Sequence, residues 1–141
     1  MIVLDTNVLS EVLKPAPTPE VLRWLARQEP LTVFTTTITV AEMFYGIEAL
    51  PHGKRRERLA RAVEEILWHD FRGRILSFDE SAAKLFASVV TAREAKGRPI
   101  SQMDAMIAAI CRAHRATLAT RNESDFAHCG VSLINPWNPR E

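Results

Sequence analysis

The chain has little of several features that mark specialised protein classes. Its 141 residues include only two cysteines and five glycines, which argues against a disulfide scaffold or a collagen-like chain. No apolar run approaches the roughly 18 residues that cross a membrane, and residues 1–5 lack the pattern of a signal peptide. We therefore expect one domain over residues 1–141, with no membrane contact, in a reducing cytoplasm.

The chain also lacks an excess of either sign of charge. The chain has 18 Lys or Arg against 17 Asp or Glu, a formal net charge of +1, so it is not expected to coat nucleic acid through its overall charge. Seven basic residues nevertheless fall between Lys54 and Arg74. We interpret this run as a solvated helix face, with a local nucleic-acid contact as the alternative.

Short apolar runs alternate with longer helical patterns, which predicts an α/β fold. The predicted strands cover residues 2–5, 31–36, 74–78, 116–120 and 131–134. The predicted helices begin near Val8, after Thr18, near Thr39, near Lys54, after Asp79 and at Ser101. Because residues 2–5 are almost uninterruptedly apolar, they indicate a strand buried on both faces of a mostly parallel sheet of about five strands.

Four acidic residues lie where predicted strands end and the next helices begin. They are Asp5 after the first strand, Glu42 in the first turn of the helix from Thr39, Asp104 in the first turn of the apolar helix from Ser101, and Asp125 in the loop after the fourth strand. In a mostly parallel sheet these positions share the edge where ligands bind. We therefore expect the four carboxylates to converge.

Each acid also has a structural interpretation. Residues 39–42 and 101–104 match the capping-box pattern, and Asp5 fits an ordinary turn. Convergence favours chemistry, because two carboxylates about 4 Å apart repel by about 4 kcal/mol and need a proton or a cation. Hard oxygen ligands select Mg²⁺ or Mn²⁺, and no Cys/His set of a zinc site is present. Such a metal can activate water against a phosphodiester.

Four ordered sequence blocks carry a resemblance to a known family. They are MIVLDTNVLS (1–10), TVAE (39–42), MDAMIAA (103–109) and LATRNESDF (118–126), and VSLINPW (131–137) extends the match. Together they resemble the PIN-domain family, and within it the VapC type of toxin near the FitB-like branch. The resemblance implies a small α/β/α sandwich around a parallel sheet. It also implies a Mg²⁺- or Mn²⁺-dependent endoribonuclease that acts as the toxin of a type II toxin–antitoxin pair.

The resemblance also implies roles for individual residues. Asp5 and Asp104 match the principal metal-binding acids, Glu42 matches the third acid, and Thr6 and Thr120 match hydroxyl residues beside the site. In this interpretation the metal lowers the pKa of a bound water, and Glu42 either binds the metal or orients that water. Flanking phosphates are assigned to Arg121 and to the basic residues within 54–61.

The fourth acidic position is open between two residues. FitB-like chains carry an acid directly after the Thr-Arg step, where this chain has Asn122, and other members resemble this chain in placing an acid at Asp125. We assign Asp125 the catalytic role of orienting water, with Asn122 as the alternative, and the number of metal ions, one or two, stays open.

The expected partners follow from the same resemblance. They are an RNA substrate, a cognate antitoxin that covers the acidic crevice, and a second copy of the chain in a homodimer. The alternative function is a catalytically silent PIN-fold module that binds nucleic acid or a partner protein. Neither interpretation specifies which RNA is bound or cut.

Overall fold

The sheet is parallel throughout, with its strands in the order β3-β2-β1-β4-β5. The computed structural model describes residues 1–140. The strands are β1 (Ile2–Leu4), β2 (Val33–Thr36), β3 (Ile75–Leu76), β4 (Thr117–Ala119) and β5 (Ser132–Ile134). Because β1 is central and all strands point the same way, the residues that follow β1, β2 and β4 meet at one edge.

Six α-helices pack around this sheet. They are α1 (Thr6–Val12), α2 (Pro19–Ala26), α3 (Thr37–Glu48), α4 (Lys54–Glu64), α5 (Glu80–Ala95) and α6 (Gln102–His114). A π-helical turn (Glu65–Asp70) extends α4, and 3₁₀ turns form at Pro30–Thr32 and Glu123–Phe126. Over residues 1–140, no helix is both long enough and apolar enough to cross a membrane.

The two faces of the sheet bury separate hydrophobic cores. Leu4 packs with apolar residues of α1 to α4, whereas its neighbour Val3 packs with those of α5 and α6. Adjacent residues of a strand point to opposite faces, so helices cover both sides of β1. The predicted α/β/α sandwich with a parallel five-stranded sheet is therefore confirmed.

The start of α3 differs from the sequence prediction. The helix begins at Thr37 rather than Thr39, and Thr36 is its N-cap, with Thr36 Oγ1 accepting a hydrogen bond from the Thr39 amide at 3.1 Å. The prediction that residues 39–42 form a capping box is therefore wrong, and Glu42 lies in the second turn of α3. Residues 35–37 are three consecutive threonines that could each cap the helix, and the pairing of Thr36 with Leu76 at the end of β2 makes Thr36 the cap.

Other predicted elements are also shorter than expected. The helix predicted over residues 54–71 ends as an α-helix at Glu64 and continues as the π-helical turn, and β3 spans two residues rather than five. The strand predicted over residues 31–36 begins only at Val33, because residues 30–32 form a 3₁₀ turn opened by Pro30.

Candidate active site

Asp5 lies at the junction of β1 and α1. It is 5% exposed and caps α1, its Oδ1 accepting a hydrogen bond from the Thr6 amide at 2.8 Å. Its Oδ2 accepts hydrogen bonds from Thr120 Oγ1 at 2.8 Å and from Asn7 Nδ2 at 3.1 Å. Because Thr120 directly follows β4, the carboxylate links the ends of two neighbouring strands.

Asn7 joins this network through both ends of its amide. Its Oδ1 accepts a hydrogen bond from the Arg121 amide at 3.3 Å, while Thr120 Oγ1 accepts one from the Asn122 amide at 3.0 Å. The loop after β4 is thus fixed relative to Asp5. The sequence patterns did not identify Asn7 as a site residue. The one feature of the sequence that could have indicated it is its position, two residues after the acid that ends the first strand.

Glu42 approaches Asp5 from α3 through a chain of threonine hydroxyls. Thr6 Oγ1 donates a hydrogen bond to Glu42 Oε1 at 3.0 Å and also lies 3.0 Å from Thr39 Oγ1. Glu42 is half-buried, and its Oε2 accepts no hydrogen bond from residues 1–140. One oxygen of Glu42 is therefore held by the protein and the other is available to a ligand.

Asp104 enters from the first turn of α6. Its amide donates to the hydroxyl of the N-cap Ser101 at 3.2 Å, so the predicted cap of this helix is confirmed. The Asp104 side chain is half-buried. The rest of α6 is apolar and fully buried over residues 107–111, which fixes the helix against the sheet.

The electrostatics show that these acids converge. Burial raises the pKa values of the Asp5, Glu42 and Asp104 carboxyls. Mutual repulsion adds to this, because the charge of Asp104 raises the pKa of Asp5, and the charges of Asp5 and Asp104 raise the pKa of Glu42. Negative charge at this edge of the sheet is thus only partly compensated by the protein.

Asp125 lies at the margin of the site. It is exposed, in the 3₁₀ turn over residues 123–126, and its amide donates to the Asn122 carbonyl at 3.1 Å. Its charge raises the pKa of Asp104 but is not among the causes of the raised pKa values of Asp5 and Glu42. The charge of Asp125 therefore acts mainly on Asp104. We refer to Asp5, Glu42, Asp104 and Asp125 as the sheet-edge acids.

The sheet-edge acids fit a hydrated divalent cation. Their donors are all carboxylate oxygens, the ligands that Mg²⁺ and Mn²⁺ prefer. Within residues 1–140, one group of three acidic, His or Cys residues has ligand atoms that all lie within 4.8 Å of one another. This group is Glu65, His69 and Asp70, and all three are exposed. The sheet-edge acids are more open, which suits an ion that keeps several of its waters. We refer to residues 65, 69 and 70 as the surface triad.

Comparison with known proteins agrees with this architecture. The PIN domain family model matches residues 2–131. Over 139 residues the chain is 40% identical to VapC ribonuclease Y4jK of Sinorhizobium fredii, and the match covers 99% of each chain. Over 138 residues it is 38% identical to toxin FitB of Neisseria gonorrhoeae, and the match covers 98% of this chain and 99% of FitB. A solved structure of FitAB bound to a DNA fragment superposes with a TM-score of 0.94 at 38% identity, covering 100% of this chain and 99% of that chain.

This chain belongs to the PIN-domain family. The nucleases of that family generally depend on a divalent metal, which is consistent with a crevice built from carboxylates rather than from cysteine and histidine. Burial raises the pKa of the Cys111 thiol, on the apolar side of α6, to about 12. That thiol is therefore protonated near neutral pH and does not extend the ligand set.

Proposed function

We propose that this chain is an endoribonuclease that hydrolyses RNA phosphodiester bonds with Mg²⁺ or Mn²⁺ and acts as the toxin of a type II toxin–antitoxin pair. One observation carries the proposal: three partly buried carboxylates from distant parts of the chain meet at one sheet edge and keep raised pKa values. A divalent cation relieves their repulsion and draws a phosphodiester to the same place. The names of the relatives, a VapC ribonuclease and a toxin, support this assignment.

We propose distinct roles for the acids. Asp5 and Asp104 would hold the cation, which supplies charge for the phosphodiester and activation of water. Glu42 would complete the metal site or take a proton from the attacking water through Oε2, because Thr6 holds only Oε1. The raised pKa of Glu42, caused first by burial, brings it closer to the range of an effective general base. Asp125 is proposed to orient the water from the side of Asp104.

A groove beside Glu42 supports a path for the RNA backbone. It has a volume of about 630 Å³ and reaches from Thr6 and Glu42 to the basic side chains of Lys14, Arg55 and Arg58. Cations spaced along a groove that ends at Glu42 would hold phosphates on one side of the scissile bond. This favours a nucleic-acid role for part of the 54–61 run over a purely solvated face.

We propose two protein partners. The first is an antitoxin that covers the crevice, supported by the FitAB structure and by the apolar side chains of α3, α4 and the segments after α1 and α3 that form most of the groove. The second is another copy of this chain, supported by the exposed Tyr45 and Met103 on the two helices that carry Glu42 and Asp104. Since its proposed substrate is RNA, the proposed location is the cytoplasm.

The experiment that tests this function is an RNA cleavage assay with the purified chain. We expect cleavage with Mg²⁺ or Mn²⁺, none in EDTA, and recovery when excess Mn²⁺ is restored. Cleavage should also stop when the antitoxin is added. Binding of RNA or antitoxin without metal-dependent cleavage would favour the catalytically silent module instead.

A further inference from the structure

Arg93 of α5 is a buried cation without an acidic partner. It is 5% exposed, although arginine is rarely buried unless it is paired. Within residues 1–140, no carboxylate oxygen lies within 4.0 Å of its guanidinium. Its N–H groups are instead satisfied by main-chain carbonyls, which is an uncommon use of a buried charge.

The carbonyls that Arg93 contacts belong to two separate segments. Nε donates to the Arg98 carbonyl at 2.7 Å, and Nη2 donates to the Pro99 carbonyl at 3.4 Å. Nη1 donates to the Asp125 carbonyl at 2.5 Å and to the Ala127 carbonyl at 3.2 Å. One planar guanidinium thus fastens the loop before α6 to the 3₁₀ turn after β4.

Each of these segments carries one of the sheet-edge acids. Pro99 precedes the N-cap Ser101 by two residues, and Ser101 holds the amide of Asp104. Asp125 is contacted at its own carbonyl. The turn at residues 123–126 is also anchored by Phe126, which is 1% exposed and packs in the core with α5 and α6, but Asp125 itself is exposed and is contacted through its main chain. Arg93 therefore links the two segments that carry these carboxylates directly, in addition to the packing of Phe126.

We propose that Arg93 is a positioning residue of the RNA-cleaving site, which holds Asp125 at a fixed distance from Asp104 by bridging the main chains that carry them. This inference rests on the proposed function. Arg93 holds both residues through their backbone segments, and its charge also lowers the pKa of Asp104, an effect that Arg93→Lys keeps. Lysine cannot replace it, because an ammonium lacks the planar fork that reaches both segments at once.

Arg74 provides a matched control on the other side of the molecule. It precedes β3, at the opposite edge of the parallel sheet from the acids, and its Nη1 donates to the Pro30 carbonyl at 2.6 Å and to the Val33 carbonyl at 2.5 Å. Its Nη2 contacts the Asp70 carbonyl. Arg74 is therefore also an arginine that ties main-chain segments together, and no sheet-edge acid lies on them.

The test compares Arg93→Lys with Arg74→Lys in the full-length protein. For each we would measure the melting temperature, the kcat and KM for RNA cleavage, and the binding of Mn²⁺ alone by electron paramagnetic resonance. Both variants should have a lower melting temperature than the wild-type protein. Only Arg93→Lys should lose kcat and Mn²⁺ affinity, each by about tenfold, the scale on which supporting residues act, with little change in KM.

Every outcome bears on the proposal. Equal kcat and equal Mn²⁺ affinity in the two folded variants would overturn it, as would full activity of Arg93→Lys. If Arg93→Lys does not fold, Arg93→Gln and Arg74→Gln replace the pair. Failure of both Arg93 variants to fold would make Arg93 a general determinant of the fold and would also overturn the proposal. If the wild-type chain cleaves no RNA, the proposed function fails, while the Mn²⁺ comparison still decides the role of Arg93.

Discussion

Two clusters of acids in this molecule could attract a cation, and they are built differently. The surface triad comes from one turn of chain, is exposed, and has its ligand atoms within 4.8 Å of one another. The sheet-edge acids come from four distant segments, are more open, and include the buried Asp5 and the half-buried Glu42 and Asp104. By distance alone, the surface triad would be the better metal site.

Protonation separates the two clusters. In the surface triad, the hydrogen bond to Asp70 and the charge of Glu65 raise the pKa of His69, whose Nδ1 lies 3.1 Å from Asp70 Oδ1 and 3.6 Å from Glu65 Oε1. At the sheet edge, no basic side chain forms an ion pair with Asp5, Glu42 or Asp104 within residues 1–140. Burial and only partly compensated charge, rather than close contact, therefore distinguish the proposed cation site from the surface triad.

The largest effect is expected from Asp104→Asn. Asparagine keeps the size of the side chain and leaves the Ser101 cap in place, but it removes the charge. We expect RNA cleavage to fall to background while the circular dichroism spectrum is unchanged. The matched variant Asp70→Asn, in the surface triad, should cleave at the wild-type rate. Wild-type cleavage by Asp104→Asn would show that this acid is only part of a helix cap.

Asp125→Asn should have the next largest effect. Because Asp125 is exposed and its charge acts mainly on Asp104, we expect the substitution to lower kcat substantially while weakening Mn²⁺ binding less than Asp5→Asn does. Steady-state kinetics and Mn²⁺ titration measure the two effects separately. The companion variant Asn122→Asp should stay active. Full activity of Asp125→Asn together with inactivity of Asn122→Ala would reassign the fourth position to Asn122.

A smaller effect is expected on stability without metal. Since burial raises the pKa values of Asp5, Glu42 and Asp104 above the ordinary values of 3.8 for Asp and 4.5 for Glu, the folded chain retains protons that the unfolded chain has released. The contribution of these acids to the free energy of unfolding therefore falls as the pH rises from those values through the raised ones.

Asp5→Asn should reduce the loss of unfolding free energy that occurs as the pH rises. It should therefore raise the melting temperature in EDTA at neutral pH by a few degrees. It should also reduce the stabilisation by Mn²⁺, which differential scanning calorimetry would measure in the same samples. An unchanged melting temperature in EDTA, together with the full Mn²⁺ shift, would contradict a carboxylate cluster built around Asp5.

The smallest effect is expected at the surface triad. The raised pKa of His69 stabilises the fold below its ordinary value of 6.5, and this contribution is lost as the pH rises through the raised value. Because the group is fully exposed, we expect no measurable change in melting temperature. An NMR titration should show the pKa of His69 falling in Asp70→Asn and in high salt. A pKa insensitive to both changes would argue against the contact.

The sequence predicted the fold well because its strongest signals are local. The apolar run over residues 2–5 and the apolar helix from Ser101 each specify a buried element, and parallel strand order then brings Asp5 and Asp104 to one edge. The start of α3 could not be predicted, because consecutive threonines cap a helix equally well until strand pairing selects Thr36.

The supporting residues of the site were beyond sequence reasoning. Arg93 lies in a segment rich in charged residues, a pattern typical of a solvated helix end. In the folded protein it is buried against the turn that carries Asp125. Asn7 was likewise hidden, since its contacts to Thr120 and Arg121 join the start of α1 to a loop more than 110 residues away in sequence. Long-range hydrogen bonds leave no periodic pattern in a sequence.

The most direct test of this account is the position of bound Mn²⁺ in crystals of the protein, located by its anomalous scattering. We expect a peak at the sheet edge beside Asp5 and Asp104, which is lost in crystals of Asp104→Asn. A peak at Glu65, His69 and Asp70, with none at the sheet edge at saturating Mn²⁺, would contradict this account.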